Sequence, residues 1–496
     1  MHRQGHISRF FQWVGDNPLK SLFLYVGFSV VLWTAQCSIL NSILPLDVLE
    51  TINWGAQWTM GHYKHPPLSG WIGYIFSCLF FHKDWAMYFL AQLCLAVGVF
   101  FTYRLAREFF DETKAVTSAI LLYSVIYYTP SSMKYCSHFV EAAIQPAMAW
   151  MFYICLRDDK WRHWLFFGVL CALGVLGKYS VGMLMVAFVG CMIYSKVGRK
   201  RFLSCGPYLA FAIFMVLISP HLIWLAKHDF CCISHLEYRV EKHKNSPLYF
   251  LIVLACSLYP FVAESLALLV AHLEKFKIKW EKGRAVQWDA FWWGVMICMI
   301  PCMMLVLIAL CGKDVVLMWM SSMVSWSGMV VVASLPFAMG RNEYRRLYAV
   351  ILAFTLVVFV VTTVDLMINP RKKLHTRPET IVKMADDFWK KCYPDTEIPC
   401  LVGYRWIVHA VENYSPHRPP SADYLDPISV RRIAEISAAK GVLLIGEYNL
   451  LYDNFIRENY PEGIPEGNMA NATFTYRTLF GPEKSATTTL IALPPR

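Results

Sequence analysis

The feature that most constrains this chain is a series of long apolar runs with few charged residues. These runs lie near 22–40, 85–103, 115–129, 139–156, 164–176, 180–195, 203–226, 247–272, 288–311, 314–337 and 347–366. About 20 apolar residues in a helix cross the hydrocarbon core of a bilayer. With 57% hydrophobic and only 16% charged residues, the chain is not a soluble enzyme, a fibrous protein or a disordered chain. We predict an α-helical polytopic membrane protein with about 11–13 transmembrane helices.

The basic residues between the runs give the orientation. The first 20 residues and the loops on their side hold more than twice as many Lys and Arg residues as the opposite loops. The positive-inside rule therefore predicts a cytoplasmic N-terminus and explains the net charge of +11 without a nucleic-acid partner. The run 22–40 is too long for a signal peptide, and no small-residue cleavage site follows it. We expect an uncleaved first helix and, after an odd number of spans, a tail outside the membrane.

The tail from 370 to 496 is much more polar than the rest of the chain. Its strand-like runs at 399–402 and 441–445 and its helical patterns at 380–391 and 429–440 predict a small soluble α/β domain. Residues 1–369 form the predicted transmembrane domain, with a first outer loop at 41–84. A disulfide between Cys392 and Cys400 stays open, because it requires an oxidising compartment. The chain shows neither a P-loop nor a Rossmann glycine motif.

The first outer loop concentrates the residues that suit chemistry. Asp47 and Glu50 are three residues apart, which places them on one face of a helix. Lys64 and His65 follow, held by a stiff Pro-Pro pair. One interpretation is a juxtamembrane helix with tryptophan anchors and solvated acids. The other is a reaction centre for a lipid phosphate, in which a carboxylate is the general base and the cations stabilise the departing phosphate.

The motifs of this loop resemble those of the GT-C polyprenyl-phosphate-dependent glycosyltransferases. The similar residues are DVLE at 47–50, WG at 54–55 and KHPPL at 64–68. That group includes the protein O-mannosyltransferase superfamily and the bacterial lipid A aminoarabinose-type transferases. GKY at 177–179 and the segment 220–238 resemble the same group, and parts of 403–419 resemble the outer domain of its bacterial members.

The resemblance implies an inverting transferase that takes a monosaccharide from a polyprenyl-phosphate carrier. It implies that Asp47 is the catalytic aspartate and Glu50 its acidic neighbour. It also implies that Lys64 and His65, and with them Lys178, Tyr179 and His221, lie near the lipid phosphate or the donor. Many relatives have adjacent Asp-Glu, whereas Val48 follows Asp47 here. No cofactor is certain, and a divalent metal ion at the acid pair stays open.

Several other residues have two interpretations each. His138 and Glu141 begin a span on the outer side, where an acid is typical of a cavity lining. Lys178 is either a snorkelling anchor or a phosphate contact. Asp229 lies among histidines and acids at 228–237, whose spacing matches no familiar zinc site and equally suits a solvated loop. Arg405 and the pair 417–418 either contact an anionic acceptor or are solvated.

These observations predict a glycosyltransferase of a bacterial inner membrane, with its active site and tail domain in the periplasm. Lipid A or the lipopolysaccharide core is the first candidate acceptor, and a protein hydroxyl is the second. The partners are the polyprenyl-phosphate-linked sugar, the acceptor and the lipid bilayer. A lipid or solute transporter is the alternative of a different class. Transporters usually show repeats and broken helices, whereas the unusual charges here gather at one surface.

Overall fold

The computed structural model describes residues 6–129, 134–241, 248–274, 277–278, 288–315, 317–335 and 338–496. Six basic residues that entered the orientation argument lie outside the described residues: Lys242, Lys244, Lys275, Lys279, Lys282 and Arg284. The described part of the chain is mostly helical, with a small sheet near its C-terminus.

The helices before the tail follow the apolar runs. They are α1 His6–Asp16, α2 Pro18–Leu40, α3 Leu46–Ala56, α4 Leu68–Leu79, α5 Asp84–Arg107, α6 Glu112–Ile120, α7 Ser137–Asp158, α8 Trp161–Gly177, α9 Val181–Tyr194, α10 Lys196–Arg201, α11 Gly206–Lys227, α12 Cys231–Glu241, α13 Tyr249–His272, α14 Trp288–Leu310, α15 Ser327–Ser334 and α16 Arg341–Ile368. Two short strands, β1 Leu273–Glu274 and β2 Lys277–Ile278, form an antiparallel pair after α13.

Seven of the described helices are long and apolar enough to cross a membrane: α2, α5, α7, α11, α13, α14 and α16. The other four predicted runs form shorter or interrupted helices. The helices α8 and α9 are apolar but shorter, and the runs 115–129 and 314–337 contain the short helices α6 and α15 together with 3-10 turns. The predicted fold class, a polytopic helical membrane protein with a small C-terminal α/β part, is confirmed.

Serine side chains accompany the two interruptions. The hydroxyls of Ser124, Ser321, Ser325 and Ser327 each donate to the carbonyl three residues earlier. Such bonds compete with the helical pattern of the backbone, and apolar periodicity does not reveal them. The interrupted segments also pack closely, since a Cβ on Gly328 would lie 2.2 Å from the Ser118 carbonyl oxygen.

The tail forms a five-stranded sheet with helices around it. The remaining elements are α17 Lys372–His375, α18 Pro378–Cys392, β3 Leu401–Gly403, α19 Arg405–Tyr414, β4 Ser421–Asp423, α20 Pro427–Lys440, β5 Val442–Gly446, α21 Tyr448–Leu451, α22 Arg457–Asn459, β6 Met469–Tyr476 and β7 Lys484–Leu493. The strand order is β4-β3-β5-β7-β6, with β4, β3 and β5 parallel and β7 antiparallel to both neighbours.

The predicted tail elements agree with this sheet. The runs 399–402 and 441–445 overlap β3 and β5, and the helical patterns fall within α18 and α20. The strands β6 and β7 were not predicted, because their partly exposed Ala and Thr residues give a weak apolar signal. Cys392 and Cys400 are free thiols, and the buried Cys400 Sγ donates to the Gly441 carbonyl at 3.3 Å.

The chain divides into two compact units. The first comprises Met1–Thr34, Lys64–Ser69 and Phe89–Val360, and the second comprises Ala35–Tyr63, Gly70–Tyr88 and Val361–Arg496. Most of the first outer loop, with α3 and α4, therefore belongs to the same unit as the sheet. The boundary at 369/370 between a transmembrane and a soluble domain stays a prediction.

Two glycines allow α3 to lie close to α4 within the second unit. A Cβ on Gly55 would lie 2.1 Å from the Gly70 carbonyl oxygen and 2.4 Å from the Tyr74 Cβ. Backbone atoms cannot move aside as a flexible side chain can, so only glycine fits at position 55 without a shift of one helix.

We therefore expect Gly55→Ala to destabilise the protein by about 1–3 kcal/mol, the usual cost of overpacking, although alanine is the better helix former. The measurement is the midpoint of thermal unfolding in detergent. Gly27→Ala is the matched control, because a Cβ on this helical glycine meets nothing within 4 Å. Equal midpoints for the two variants would contradict the close approach.

Candidate active site

The helix α3 carries the two acids of the first outer loop. Pro45 precedes it, and Asp47 lies in its first turn, where the helix dipole stabilises negative charge. Every residue from Val48 to Gly55 is buried, so the helix is largely enclosed. Asp47 itself is half-buried, whereas Glu50 is only 5% exposed. The predicted helix is confirmed, and the interpretation in which both acids are solvated is wrong for Glu50.

The buried carboxylate of Glu50 pairs with an arginine from the tail. Arg405 Nη1 lies 3.3 Å from Glu50 Oε1. Arg405 is the first residue of α19. Partial burial lowers the pKa of this guanidinium, but the charges of Glu50 and Asp423 outweigh burial and raise the pKa overall. Arg405 was expected to contact an acceptor or to be solvated, and the structure gives it an internal partner instead.

Tyr63 makes a second link to the tail. Its hydroxyl donates to Asp423 Oδ2 at 3.1 Å, and both residues are buried. Burial, and then the charges of Asp423 and Glu50, raise the pKa of Tyr63 well above its ordinary value. The phenol therefore stays protonated and acts as a donor. Tyr63 immediately precedes Lys64, so this bond anchors the chain where the KHPPL motif begins.

Glu412 on α19 is the centre of a third link. Asn53 Nδ2 and Ser421 Oγ each donate to Glu412 Oε2 at 2.6 Å. His409 Nδ1 shares a 2.7 Å hydrogen bond with the Ser421 hydroxyl, and Gln57 donates to Asn53 Oδ1 at 3.0 Å. Burial raises the pKa of Glu412 to about 7, although the hydrogen bonds from Ser421 and Asn53 lower it. The sequence analysis missed Glu412 and Asp423, because their burial against α3 depends on the folded chain.

A different group of side chains lies in the first unit. Lys178 Nζ lies 2.9 Å from Glu141 Oε2 and donates to His138 Nδ1 at 2.9 Å. Ser180 Oγ donates to the other oxygen of Glu141. Lys178 and Glu141 are 6% and 1% exposed, so the ammonium group is held by fixed partners and does not snorkel.

Two more basic residues lie near this pair. His65 and Lys134 are close enough to His138 for their charges to interact with it, and the Tyr135 hydroxyl donates to the Ser69 carbonyl at 3.0 Å, which joins the two segments. We call His65, Lys134, His138 and Lys178 the cationic cluster, after its two lysines. Lys64 is half-buried in the non-helical stretch that also carries His65. The sequence analysis named three of the four residues and missed Lys134.

His138 also faces a cleft in the first unit. This cleft encloses about 300 Å³ of empty space, part of it open to solvent. The residues that line it with His138 are Leu95, Tyr127, Tyr128, Phe139, Ala142, Met318 and Ser321. Its walls are mostly apolar.

The segments around 179 and 221 also meet. The Tyr179 hydroxyl shares a 2.7 Å hydrogen bond with His221 Nε2, and His221 is buried. Trp224 stacks on His228, with ring centroids 4.2 Å apart. Asp229 lies in the exposed turn after α11, in the left-handed backbone region at φ 51°. The structure thus brings Tyr179 and His221 together, and it leaves Asp229 in a turn.

A metal ion does not fit the acid pair. Glu50 is engaged by the Arg405 guanidinium, and among the described residues no group of three His, Cys, Asp or Glu side chains is arranged to hold a metal. The residues at 228–237 form no such group either. We therefore assign no step to a metal.

Comparisons with known proteins add to this geometry. The profile of the dolichyl-phosphate-mannose-protein mannosyltransferase family matches residues 64–224. This interval includes the cationic cluster, Tyr179 and His221, but neither Asp47 nor Glu50. No protein of curated function matches the sequence.

The structural matches cover almost the whole chain. ArnT from Cupriavidus metallidurans in the apo state is 11% identical, with a TM-score of 0.58 over 95% of this chain and 98% of that chain. ArnT bound to undecaprenyl phosphate gives a TM-score of 0.59 at the same identity and coverage. The oligosaccharyltransferase of Archaeoglobus fulgidus is 14% identical over 84% of this chain and 67% of its own, with a TM-score of 0.43, too low to carry an argument. The resemblance to the GT-C glycosyltransferases is confirmed, and the chain has the fold of ArnT.

The Glu50–Arg405 pair predicts a coupled effect on stability. Arg405→Met removes the cation from a buried carboxylate and should cost about 2 kcal/mol, less than for a fully buried pair because Arg405 is partly exposed. Glu50→Gln in the same chain should recover most of that loss. The measurement is a double-mutant cycle on the thermal midpoint, with hydrogen exchange of α3 as a local readout. Additive losses would show that the two residues are not coupled.

Glu412 predicts a pH dependence of stability. Its pKa rises from an ordinary 4.5 to about 7 in the folded chain. Its stabilising contribution is therefore fully present below about pH 4.5 and is lost as the pH rises through 7. Arg418, Arg432 and His409 are the charged or titratable neighbours.

We expect the thermal midpoint of Glu412→Gln to change less than that of the wild type between roughly pH 5 and pH 8. Parallel curves for the two proteins would contradict the raised pKa. Glu466→Gln is the control, because Glu466 is an exposed acid of the same unit.

Proposed function

We propose that the chain is an inverting glycosyltransferase, which moves one sugar from a polyprenyl-phosphate carrier to an acceptor hydroxyl. The observation that carries this proposal is the cationic cluster, in which a buried lysine, a second lysine and two histidines lie together around Glu141. The cleft lined by His138 gives the cluster an apolar neighbour. A phosphate with a long hydrocarbon tail matches both features, since its negative charge suits the lysines and its tail suits an apolar surface.

The cationic cluster would act on the leaving group. When the bond between the anomeric carbon and the phosphate oxygen breaks, that oxygen gains negative charge. Preorganised cations stabilise such charge more than water does, because they need not reorganise. Lys178 is held by Glu141 and His138, which suits this role. Lys64 is assigned to the same phosphate on the strength of its motif, and Tyr179 and His221 are assigned to the donor.

Asp47 would act on the acceptor. Its carboxylate takes the proton of the acceptor hydroxyl as the oxygen attacks the anomeric carbon from the side opposite the phosphate. The new glycosidic bond forms, the bond to the phosphate oxygen breaks, and polyprenyl phosphate leaves with its electron pair. The product has the inverted configuration. Glu50 is the less suitable base, because Arg405 already engages its carboxylate. We assign Glu50 to positioning α3.

The carrier, the acceptor and the compartment belong to the same proposal. The solved structure of ArnT contains undecaprenyl phosphate, which supports a polyprenyl phosphate as the carrier here. Lipid A or the lipopolysaccharide core is our first acceptor, and a protein hydroxyl is the second. We place the chain in a bacterial inner membrane, with a cytoplasmic N-terminus and the tail in the periplasm.

A transporter of lipid-linked sugars is the second candidate. The observation in its favour is the pair of interrupted segments around α6 and α15, since broken helices are typical of transporters. The two functions differ in their products. A transferase converts the lipid-linked sugar into free polyprenyl phosphate, whereas a transporter moves it unchanged.

The test of Asp47 uses the purified protein in lipid nanodiscs with polyprenyl-phosphate-linked sugars and an envelope extract as the acceptor source. Asp47→Asn should lower the release of polyprenyl phosphate by about 10²–10⁴-fold, the usual contribution of a general base. Its amount in the membrane should not change, because Asp47 is half-buried and an amide is isosteric. Asp395→Asn, at an exposed position in the tail, is the control. Retained turnover in Asp47→Asn would refute the assignment of Asp47.

A further inference from the structure

The connection between β6 and β7 exposes two large apolar side chains. Leu479 and Phe480 are 70% and 72% exposed, among the most exposed apolar residues of the second unit. They lie in the seven-residue turn 477–483, which we call the hairpin tip. Adjacent apolar residues exposed to this degree on an otherwise polar domain indicate a surface with a partner.

The hairpin tip is fixed to the end of the last long apolar helix. The Phe480 amide donates to the Met367 carbonyl at 3.0 Å. A Cβ on Gly481 would lie 2.1 Å from the Ile368 carbonyl oxygen, so the turn contacts the last residues of α16 directly. The helix α16 has 28 residues, more than the roughly 20 that cross a bilayer core.

Polar and charged side chains begin at the end of α16 that contacts the hairpin tip. Asp365, in the last turn of α16, forms an ion pair with Arg371, and Asn369 Nδ2 donates to Asp365 Oδ1 at 2.8 Å. Charged groups of this kind mark where a membrane helix leaves the hydrocarbon. Because the Phe480 amide bonds to the Met367 carbonyl, the hairpin tip lies beside this end of α16.

Basic residues lie beside the hairpin. Thr376 pairs with Tyr476 as an antiparallel bridge, which aligns the segment 371–377 with the last residue of β6. That segment contains four basic residues and no acid: Arg371, Lys372, Lys373 and Arg377. Arg477 and Lys484, at the two sides of the tip, are exposed. The nearby acids Asp365, Glu379 and Glu483 offset only part of this charge.

We propose that the hairpin tip binds the lipid bilayer and so holds the tail at the membrane surface. Leu479 and Phe480 enter the interfacial region of the bilayer, and the basic residues of 371–377 bind anionic headgroups. Burial of apolar side chains and attraction of basic groups to anionic lipids are the two contributions that hold a surface on a membrane. The bilayer is the partner because the tip is joined to a membrane-spanning helix at its end. This proposal does not depend on the enzymatic one.

The test is photocrosslinking of the full chain in nanodiscs that contain an anionic phospholipid. Phe480 is replaced by p-benzoylphenylalanine, and the control protein carries the same group in place of Tyr448, a 40% exposed aromatic residue of the same unit. After irradiation, mass spectrometry identifies what is attached to each peptide. We expect a phospholipid adduct at 480 and none above background at 448.

The other outcomes overturn the proposal. A peptide adduct at 480, from a second copy or another protein, would identify a protein partner, and equal lipid adducts at both positions would show no specific insertion. Replacement of the anionic lipid by a zwitterionic one should lower the adduct yield at 480 several-fold. An unchanged yield would refute the role of the basic residues. Unfolding midpoints equal to that of the wild type establish that both labelled proteins are folded.

Discussion

The pairing of Glu50 with Arg405 is the interaction on which the arrangement of the first outer loop depends. The two residues are 355 positions apart in the chain. An unpaired carboxylate at 5% exposure would be costly, so the cation that α19 supplies stabilises α3 in its buried position. Asn53 with Glu412 and Tyr63 with Asp423 reinforce the same attachment, over separations of 359 and 360 residues. The helix that carries Asp47 lies near the beginning of the chain, and the partners of its buried polar side chains come from the tail.

Much of this protein could be predicted from the sequence, because hydrophobicity and helical spacing are local properties. The apolar runs, α3, and the tail elements β3, β5, α18 and α20 were predicted, and so was the GT-C resemblance. The interruptions near α6 and α15 were not, since the apolar pattern continues through them, and the serine-to-carbonyl bonds found there are invisible in that pattern. The strands β6 and β7 were missed because Thr and Ala alternate there with little contrast in polarity.

The candidate site was predicted less completely, for a physical reason. His138, Glu141 and Lys178 were recognised as unusual polar groups at the ends of apolar runs, and His65 as part of the KHPPL motif. The structure brings these four residues together. Lys134, Glu412 and Asp423 lie in segments that look like ordinary polar loops or helices. Their roles arise from contacts between distant segments, which a single sequence does not reveal. The same holds for Arg405, whose partner lies in the first outer loop.

The proposal assigns the two groups of charges to different steps of the reaction. The cationic cluster places two lysines near an apolar cleft, and the proposal assigns it to the lipid phosphate. Asp47 is half-buried at the start of a helix that is otherwise enclosed, as a base that must reach an acceptor requires. The attachment of α3 to α19 explains how an acid in a loop can be held rigidly enough for chemistry, because the tail supplies partners for the buried face of that helix.

The most direct test is mass spectrometry of the envelope glycolipids and the polyprenyl-phosphate pool in cells with and without this chain. The account predicts that cells without it lose one sugar-sized increment from an envelope acceptor and accumulate the corresponding polyprenyl-phosphate-linked sugar. If neither the glycolipids, nor the glycoproteins, nor the lipid-linked sugar changed, the transferase account would be contradicted.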